Sequence, residues 1–239
     1  MATRVYLNEQ QLRPSAAPAS LNLPIATSPS EVARRTLNVC VAAIGIVLTA
    51  PLMLVIAALI KATSRGPILY TQTRVGIDRR ARRSVNDGST RDRNLGGAPF
   101  RIYKFRTMRA AQSAEQVWAR QGDSRVTRVG AVLRKLRLDE LPQLFNVLRG
   151  DMNVVGPRPE QPEIFGRLRE QIASYPWRQR VLPGITGWAQ INLRYDETVD
   201  DVRKKVAYDL AYIRKASAAE DLRIMVRTLP VMLGSRLGW

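Results

Sequence analysis

VCVAAIGIVLTAPLMLVIAALI, residues 39–60, decides the architecture of this chain, because these 22 consecutive residues carry no charge. A membrane helix needs roughly 20 apolar residues, so the run is long enough to cross a bilayer. Pro51 sits at its middle, where a proline removes a backbone hydrogen bond and bends a helix. Two shapes satisfy both observations: a kinked helix that spans, or a helix that enters one leaflet, bends at Ala50–Pro51 and returns to the same face. Arg34 and Arg35 precede the run and Lys61 and Arg65 follow it. Positive charge at both ends sets no orientation by the positive-inside rule.

Upstream, residues 1–30 scatter Pro, Ser, Ala and Asn without sustained periodicity and read as a flexible arm. The apolar run begins too late for a secretory leader and has no small-residue cleavage site behind it. Downstream, GPILYTQTRVG reads as extended, residues 78–98 as a polar, Arg-rich surface loop, and PFRIYKFRTM as alternating apolar and basic residues before a helix near 109–121. Val126–Leu138 reads as a basic helix. Asp139 is expected to cap the next helix, with Pro142 in its first turn, Leu144, Phe145 and Leu148 on its apolar face and Gly150 at its end. Further helices are expected around 163–175, from Val199 on a stripe of Val202, Val206, Leu210 and Ile213, and near 219–233, where Leu222, Met225, Val226 and Leu229 alternate with Arg223 and Arg227. That last pattern suits the membrane interface or packing on the core.

Composition removes whole classes of chemistry. There is no histidine among the 239 residues, so no imidazole base and no imidazole-ligated metal. The only cysteine, Cys40, falls inside the apolar run and reads as a small buried hydrophobe. Neither a GxxxxGK[ST] loop nor a GxGxxG turn occurs, which leaves kinase, ATPase and dinucleotide-binding readings unsupported. Lys plus Arg number 38 against 20 Asp plus Glu, a net charge of +18 that points to an anionic partner: nucleic acid, lipid headgroups or phosphorylated substrates.

Carboxylates and cations must then carry any reaction. Asp139 and Glu140 stand side by side among Arg134, Lys135, Arg137 and Arg149. Such a pair suits a carboxylate nucleophile or a Mg²⁺ ligand, and equally a plain helix cap. Asp151 and Asn153 offer further oxygen ligands or cap a turn. Arg158, held between two prolines in GPRPE, presents a guanidinium at low entropic cost, and a guanidinium grips phosphate bidentately. Lys104 and Arg106 alternate with Tyr103 and Phe105, which on a strand places both cations on one face.

KFRTM, LDELPQLFNVLRGDM, VGPRPE and PGITGWAQIN, in that order, resemble the bacterial sugar transferase family, the monotopic polyprenyl-phosphate hexose-1-phosphate transferases that begin exopolysaccharide, capsule and O-antigen synthesis. The resemblance runs from about Arg34 to Leu233. It implies an α+β, mainly helical fold: a small globular catalytic domain on a re-entrant membrane helix hairpin, with interfacial amphipathic helices. The expected units are a flexible arm at 1–30, the re-entrant helix at 31–62 and a cytoplasmic catalytic domain at 63–239, with its basic loop at 78–98. It also implies a covalent route in which Asp139 attacks the sugar-bearing phosphate of a UDP-sugar and releases UMP. Polyprenyl (undecaprenyl) phosphate then takes the phosphosugar. Glu140, with Asp139, matches a Mg²⁺ ligand; Arg158 and Arg134 match phosphate contacts, and Lys104 belongs to the basic KFR motif. The location implied is the inner leaflet of the bacterial cytoplasmic membrane, with no nucleic-acid partner.

Three other readings stand beside it: a membrane-tethered nucleic-acid-binding protein, a scaffold with a decayed centre, and a direct transfer without a covalent step. The first explains the charge but not the DEL and PRP motifs. The intact Asp139–Glu140 pair argues against the second. The sequence does not separate the third from the covalent route, nor does it name the sugar or settle homo-oligomerisation. The basic stretch 78–98 is longer than the short turn the family uses there, and the spanning helices of larger members have no counterpart in this sequence.

Overall fold

A computed structural model describes residues 29–78, 97–109, 123–193 and 198–233. The N-terminal arm, nearly all of the basic loop and the helix expected near 109–121 lie outside the described residues, apart from their edges.

Helix α1 runs from Pro29 to Thr63, 35 residues with Pro51 inside it. At 1.5 Å per residue it is about 50 Å long. The expected turn-back at Ala50–Pro51 is not a gap in the helix: helical structure continues through both residues. One narrow stripe faces the protein, with Arg34, Asn38, Ala42, Ile56 and Ile60 buried. The other face is bare, with Val47 and Leu48 each 74% exposed and Leu54 73%. Cys40 lies on this bare face rather than in a core. It is a helix long and apolar enough to cross a membrane, yet it is held by the folded body at both ends.

Strands β1 (Leu69–Val75) and β2 (Pro99–Phe105) form an antiparallel ribbon, registered from Leu69 opposite Phe105 to Val75 opposite Pro99. Helix α2 (Arg128–Lys135) starts where the Thr127 hydroxyl accepts the Gly130 N–H at 2.9 Å. A single 3₁₀ turn, Leu138–Glu140, leads to α3 (Gln143–Arg149), which ends at Gly150 with φ of 85°, a left-handed conformation that glycine adopts without strain. Strands β3 (Asn153–Val155) and β4 (Gly184–Thr186) pair in parallel. Between them come α4 (Pro162–Gln171), shorter than the expected helix, and a 3₁₀ segment, Tyr175–Arg180. The chain closes with α5 (Trp188–Asn192), α6 (Val199–Lys215) and α7 (Ala218–Leu233). A capping box between Thr198 and Asp201 starts α6.

The architecture is mixed and mostly helical. Val75, Phe165, Ile172, Tyr175 and Val206 form one apolar cluster, and Val155, Val181, Tyr212, Ile213 and Ile224 a second. The other two clusters use α1: Ala42 packs with Ile102, Val147 and Met152, and Ile56 and Ile60 with Phe105 and Leu133. Both halves of the apolar helix therefore belong to the core of the folded body. Beside it, α2 with its C-cap Leu136, α3 and α7 leave Val132, Leu136, Phe145, Leu148, Leu222, Val226 and Leu229 exposed.

Candidate active site

Asp139 does not cap a helix. Arg137 adopts a left-handed conformation, φ 58° and ψ 15°, and turns the chain so that Leu138–Glu140 form their own 3₁₀ turn ahead of α3. Arg137 is the non-glycine residue with positive φ among those described, a conformation that costs energy unless its surroundings fix it. Both carboxylates are thereby drawn inward: Asp139 is 9% exposed and Glu140 7%.

Glu140 is clamped. Lys104, near the end of β2, donates from Nζ to Glu140 Oε1 at 2.8 Å. Arg158 donates from Nη2 to the same oxygen at 2.6 Å, and from Nη1 to Oε2 at 3.4 Å. Burial pushes the Glu140 carboxyl up, but the Arg158 guanidinium and Lys104 ammonium outweigh it and hold the group well below its ordinary range. Lys104 is itself lowered by burial, against the pull of Glu140. Asp139 differs. No hydrogen bond reaches its carboxylate among the described residues. Burial, and then the neighbouring Glu140 charge, push its pKa up against Lys104, Arg134 and Arg158. No full helix begins at Asp139, so it gains no helix-dipole support for its charge.

Of the residues singled out in the sequence, Asp139, Glu140, Lys104 and Arg158 converge, and Arg134 on α2 acts on Asp139 through its charge. Arg106 leaves the group: buried, it donates from Nη2 to the Ser64 carbonyl at 2.8 Å and hydroxyl at 2.7 Å, anchoring the end of α1. Asp151 and Asn153 are likewise structural, accepting from Asn146 at 3.1 Å and Arg35 at 3.2 Å respectively.

A second layer fixes the first. The Arg158 carbonyl accepts from Arg178 Nη2 at 3.0 Å, and Arg178 is locked by Asp209 at 2.7 Å and the Tyr175 hydroxyl at 2.9 Å. Arg74 donates to the Pro159 carbonyl at 3.3 Å and to Glu160 at 3.1 Å. The Gly184 N–H donates to Pro157 O at 3.0 Å, and Val75 N–H to Glu160 O at 2.8 Å. On the other side, Asn146 accepts the Tyr103 N–H at 3.0 Å and donates to Arg101 O at 2.7 Å, tying the strand that carries Lys104 to α3. Arg74, Asn146, Arg178 and Asp209 were not singled out in the sequence. The partners of Arg178, Asn146 and Arg74 lie up to 86 positions away, and no local pattern announces such a pairing.

Glu140 and Arg158 open onto a cavity of about 300 Å³, with Leu141, Leu144, Ile185 and Ile191 among its walls. Mg²⁺ takes oxygen ligands, commonly one or two carboxylates completed by phosphate oxygens and water. The Asp139 oxygens and Glu140 Oε2, which has only the long contact, are donors of that kind, so the pair fits the ion.

The bacterial sugar transferase family model matches residues 29–235, which takes in α1, the Asp139–Glu140 turn and the PRP loop. The chain belongs to the bacterial sugar transferase family. It is 43% identical over 203 residues to an Aeromonas hydrophila protein named UDP-N-acetylgalactosamine-undecaprenyl-phosphate N-acetylgalactosaminephosphotransferase; the match covers 84% of this chain and 43% of that one. It is 43% identical over 206 residues to a Caulobacter vibrioides UDP-glucose:undecaprenyl-phosphate glucose-1-phosphate transferase, covering 85% and 70%. A Rhizobium meliloti exopolysaccharide production protein, ExoY, is 36% identical over 221 residues, covering 86% and 87%. The chain thus spans less than half of the Aeromonas relative and most of the other two.

Proposed function

We propose that this chain transfers a sugar 1-phosphate from a UDP-sugar to undecaprenyl phosphate, releasing UMP, and so starts the assembly of a surface polysaccharide. The observation that carries the reading is the asymmetry of the carboxylate pair: Glu140 is clamped by Lys104 and Arg158, while Asp139 beside it accepts no hydrogen bond among the described residues. An uncommitted carboxylate next to fixed cations suits nucleophilic attack on a phosphorus that carries negative charge. The two relatives whose names state a reaction use different UDP-sugars and the same lipid acceptor, which supports the reaction and leaves the sugar to experiment.

In the proposed route an Asp139 carboxylate oxygen attacks the phosphorus joined to the sugar. The bond from that phosphorus to the bridging oxygen breaks, and UMP leaves with the electron pair. An acceptor phosphate oxygen then attacks the same phosphorus and the bond to Asp139 breaks, restoring the carboxylate. Each step exchanges one P–O bond for another. Lys104 and Arg158 hold Glu140 ionised in place, and Arg134 adds positive charge near Asp139. Mg²⁺ held by Asp139 and Glu140 would offset diphosphate charge.

We infer further that α1 enters and leaves the bilayer on one face. Its start is pinned to the folded body by Arg34 to Asp221 at 3.4 Å and Arg35 to the Met152 carbonyl at 3.0 Å. Its end is pinned by Arg106 to Ser64. A simple span would leave one of these ends across the membrane from its partners. The exposed apolar side chains of α2, α3 and α7 suit burial at the same interface, and the charge of +18 suits an anionic cytoplasmic leaflet.

The test is nucleotide release from purified protein in detergent, with Mg²⁺, undecaprenyl phosphate and a panel of UDP-sugars. UMP that appears with one sugar and vanishes on chelation is the expected result. UDP in its place would mean ordinary glycosyl transfer and overturn the reading.

A further inference from the structure

We propose that the cavity beside Glu140 seats the first isoprene units of the lipid acceptor, with the acceptor phosphate turned toward Arg158. The inference rests on the reaction assigned above and adds where one of its two substrates lies.

The cavity has two kinds of wall. One is the bonded cluster of Glu140, Arg158, Glu160 and Arg74, which adjoins Asp139. The other is aliphatic and includes Leu144 and Ile185, which pack against the cluster that contains Ala42 of α1. A Cβ at Gly45 of α1 would meet Leu144 Cδ1 at 3.2 Å. The apolar wall therefore stands one side chain from the membrane helix, and the charged wall stands at the reacting carboxylates.

Arg137 and Lys205 add cations to the lining, and the neutral polar side chains Thr186, Thr228 and Gln190 are engaged with the protein. The Thr186 and Thr228 hydroxyls bond each other at 2.9 Å, and Thr228 also donates to the Ile224 carbonyl at 2.8 Å. The Gln190 amide nitrogen donates to the Ile185 carbonyl at 2.9 Å, and its oxygen is buried out of solvent contact. A uracil or sugar placed against these neutral side chains would find few partners for its edges, and burying such edges without hydrogen bonds is costly, whereas the cations of the lining suit a phosphate. Among the described residues lining the cavity, no aromatic ring offers a base a stacking surface. An aliphatic chain ending in a phosphate matches both walls. At about 300 Å³ the cavity lies at the small end of ligand sites, so it takes only the head of the chain and leaves the remainder in the bilayer.

The experiment compares KM for undecaprenyl phosphate and for the UDP-sugar in the full chain and in two variants, Ala189→Leu, which fills the cavity, and Leu193→Ser, which makes its lining polar. KM does not depend on the fraction of active protein, so partial misfolding does not mimic the result. The expected outcome in both variants is a rise of about tenfold in KM for the lipid, the effect of about two methylene groups' worth of burial, with the UDP-sugar KM moving less than twofold. The same rise with a short farnesyl phosphate acceptor would place the contact at the head of the chain. A rise in the UDP-sugar KM instead would give the cavity to the nucleotide sugar, and no change in either KM would leave it empty in catalysis; both overturn the proposal. Release of UDP rather than UMP by the wild type would strike the reaction assigned above, and the KM comparison would then be read on UDP.

Discussion

Two charged clusters in this protein use the same chemistry and end in opposite conditions. At the base of α1, Arg34 reaches Asp221 at 3.4 Å and the Tyr212 hydroxyl at 2.8 Å, while Asn38 reaches Asp221 at 2.9 Å and Tyr212 donates to it at 2.7 Å. Side-chain exposure there is 2% for Arg34 and 0% for Asp221. In the Glu140 cluster an arginine and a lysine grip one carboxylate as tightly, but the cluster opens on a cavity and its neighbour Asp139 is uncommitted. A closed, fully bonded charge network holds two elements in one arrangement. A network with one carboxylate left over and space beside it is equipped to act on something that enters.

Asp139→Asn is the sharpest way to break this contrast. The amide is nearly isosteric but a far poorer nucleophile, so UMP release should fall on the order of 10³-fold or more, with the melting temperature nearly unchanged. Activity close to wild type would remove Asp139 as nucleophile. Asp221→Ala should do the reverse. It removes the buried carboxylate that Arg34, Asn38 and Tyr212 share and leaves Arg34 with Glu31, at 2.8 Å, as its ion-pair partner. Stripping buried donors of their acceptor costs about 1–3 kcal/mol, so thermal unfolding should drop while kcat of the folded fraction holds. A loss of kcat without a loss of stability would merge the two clusters into one functional unit. Arg158→Lys keeps the charge but loses the two-nitrogen grip on Glu140. A fall of about tenfold in kcat/KM is expected, in line with about 1.5–3 kcal/mol for a hydrogen bond to a charged group, and an unchanged value would mean that charge alone suffices there. Thr198→Ala lies outside both clusters and removes the capping box of α6. It should cost about 1 kcal/mol in denaturant unfolding and nothing in activity, which sets the baseline for a purely local loss.

Legibility in the sequence followed the range of the interaction. The apolar helix, the Gly150 stop and the helix starting at Val199 rest on contacts within a few residues, and the strand carrying Lys104 shows in its local alternation although it pairs with the distant β1; all were readable from the sequence. Asp139 as a helix cap was not, because a left-handed Arg137 redirects the chain just before it; the local pattern Asp–Glu–Leu–Pro fits a cap equally well. Arg106 was paired with Lys104 by strand alternation, yet the end of α1 claims it, since a buried guanidinium must find acceptors wherever the fold offers them. The scaffold behind Arg158 was invisible for the same reason: Arg178 and Asp209 are 31 positions apart.

The sequence by itself determined that this chain offers no histidine and no thiolate cluster, that a long helix with an uncharged central run and a proline inside it is present, and that the Asp–Glu pair and the PRP loop are the chemical candidates. Those conclusions need only composition, periodicity and short motifs. Tertiary structure alone decided that Glu140 is held while Asp139 is left open, that Arg106 and Asp151 serve the frame, and that both ends of α1 rest on one body. Each of these depends on which distant side chains burial forces together, because a charge removed from water must be paired and the fold fixes which partners are within reach.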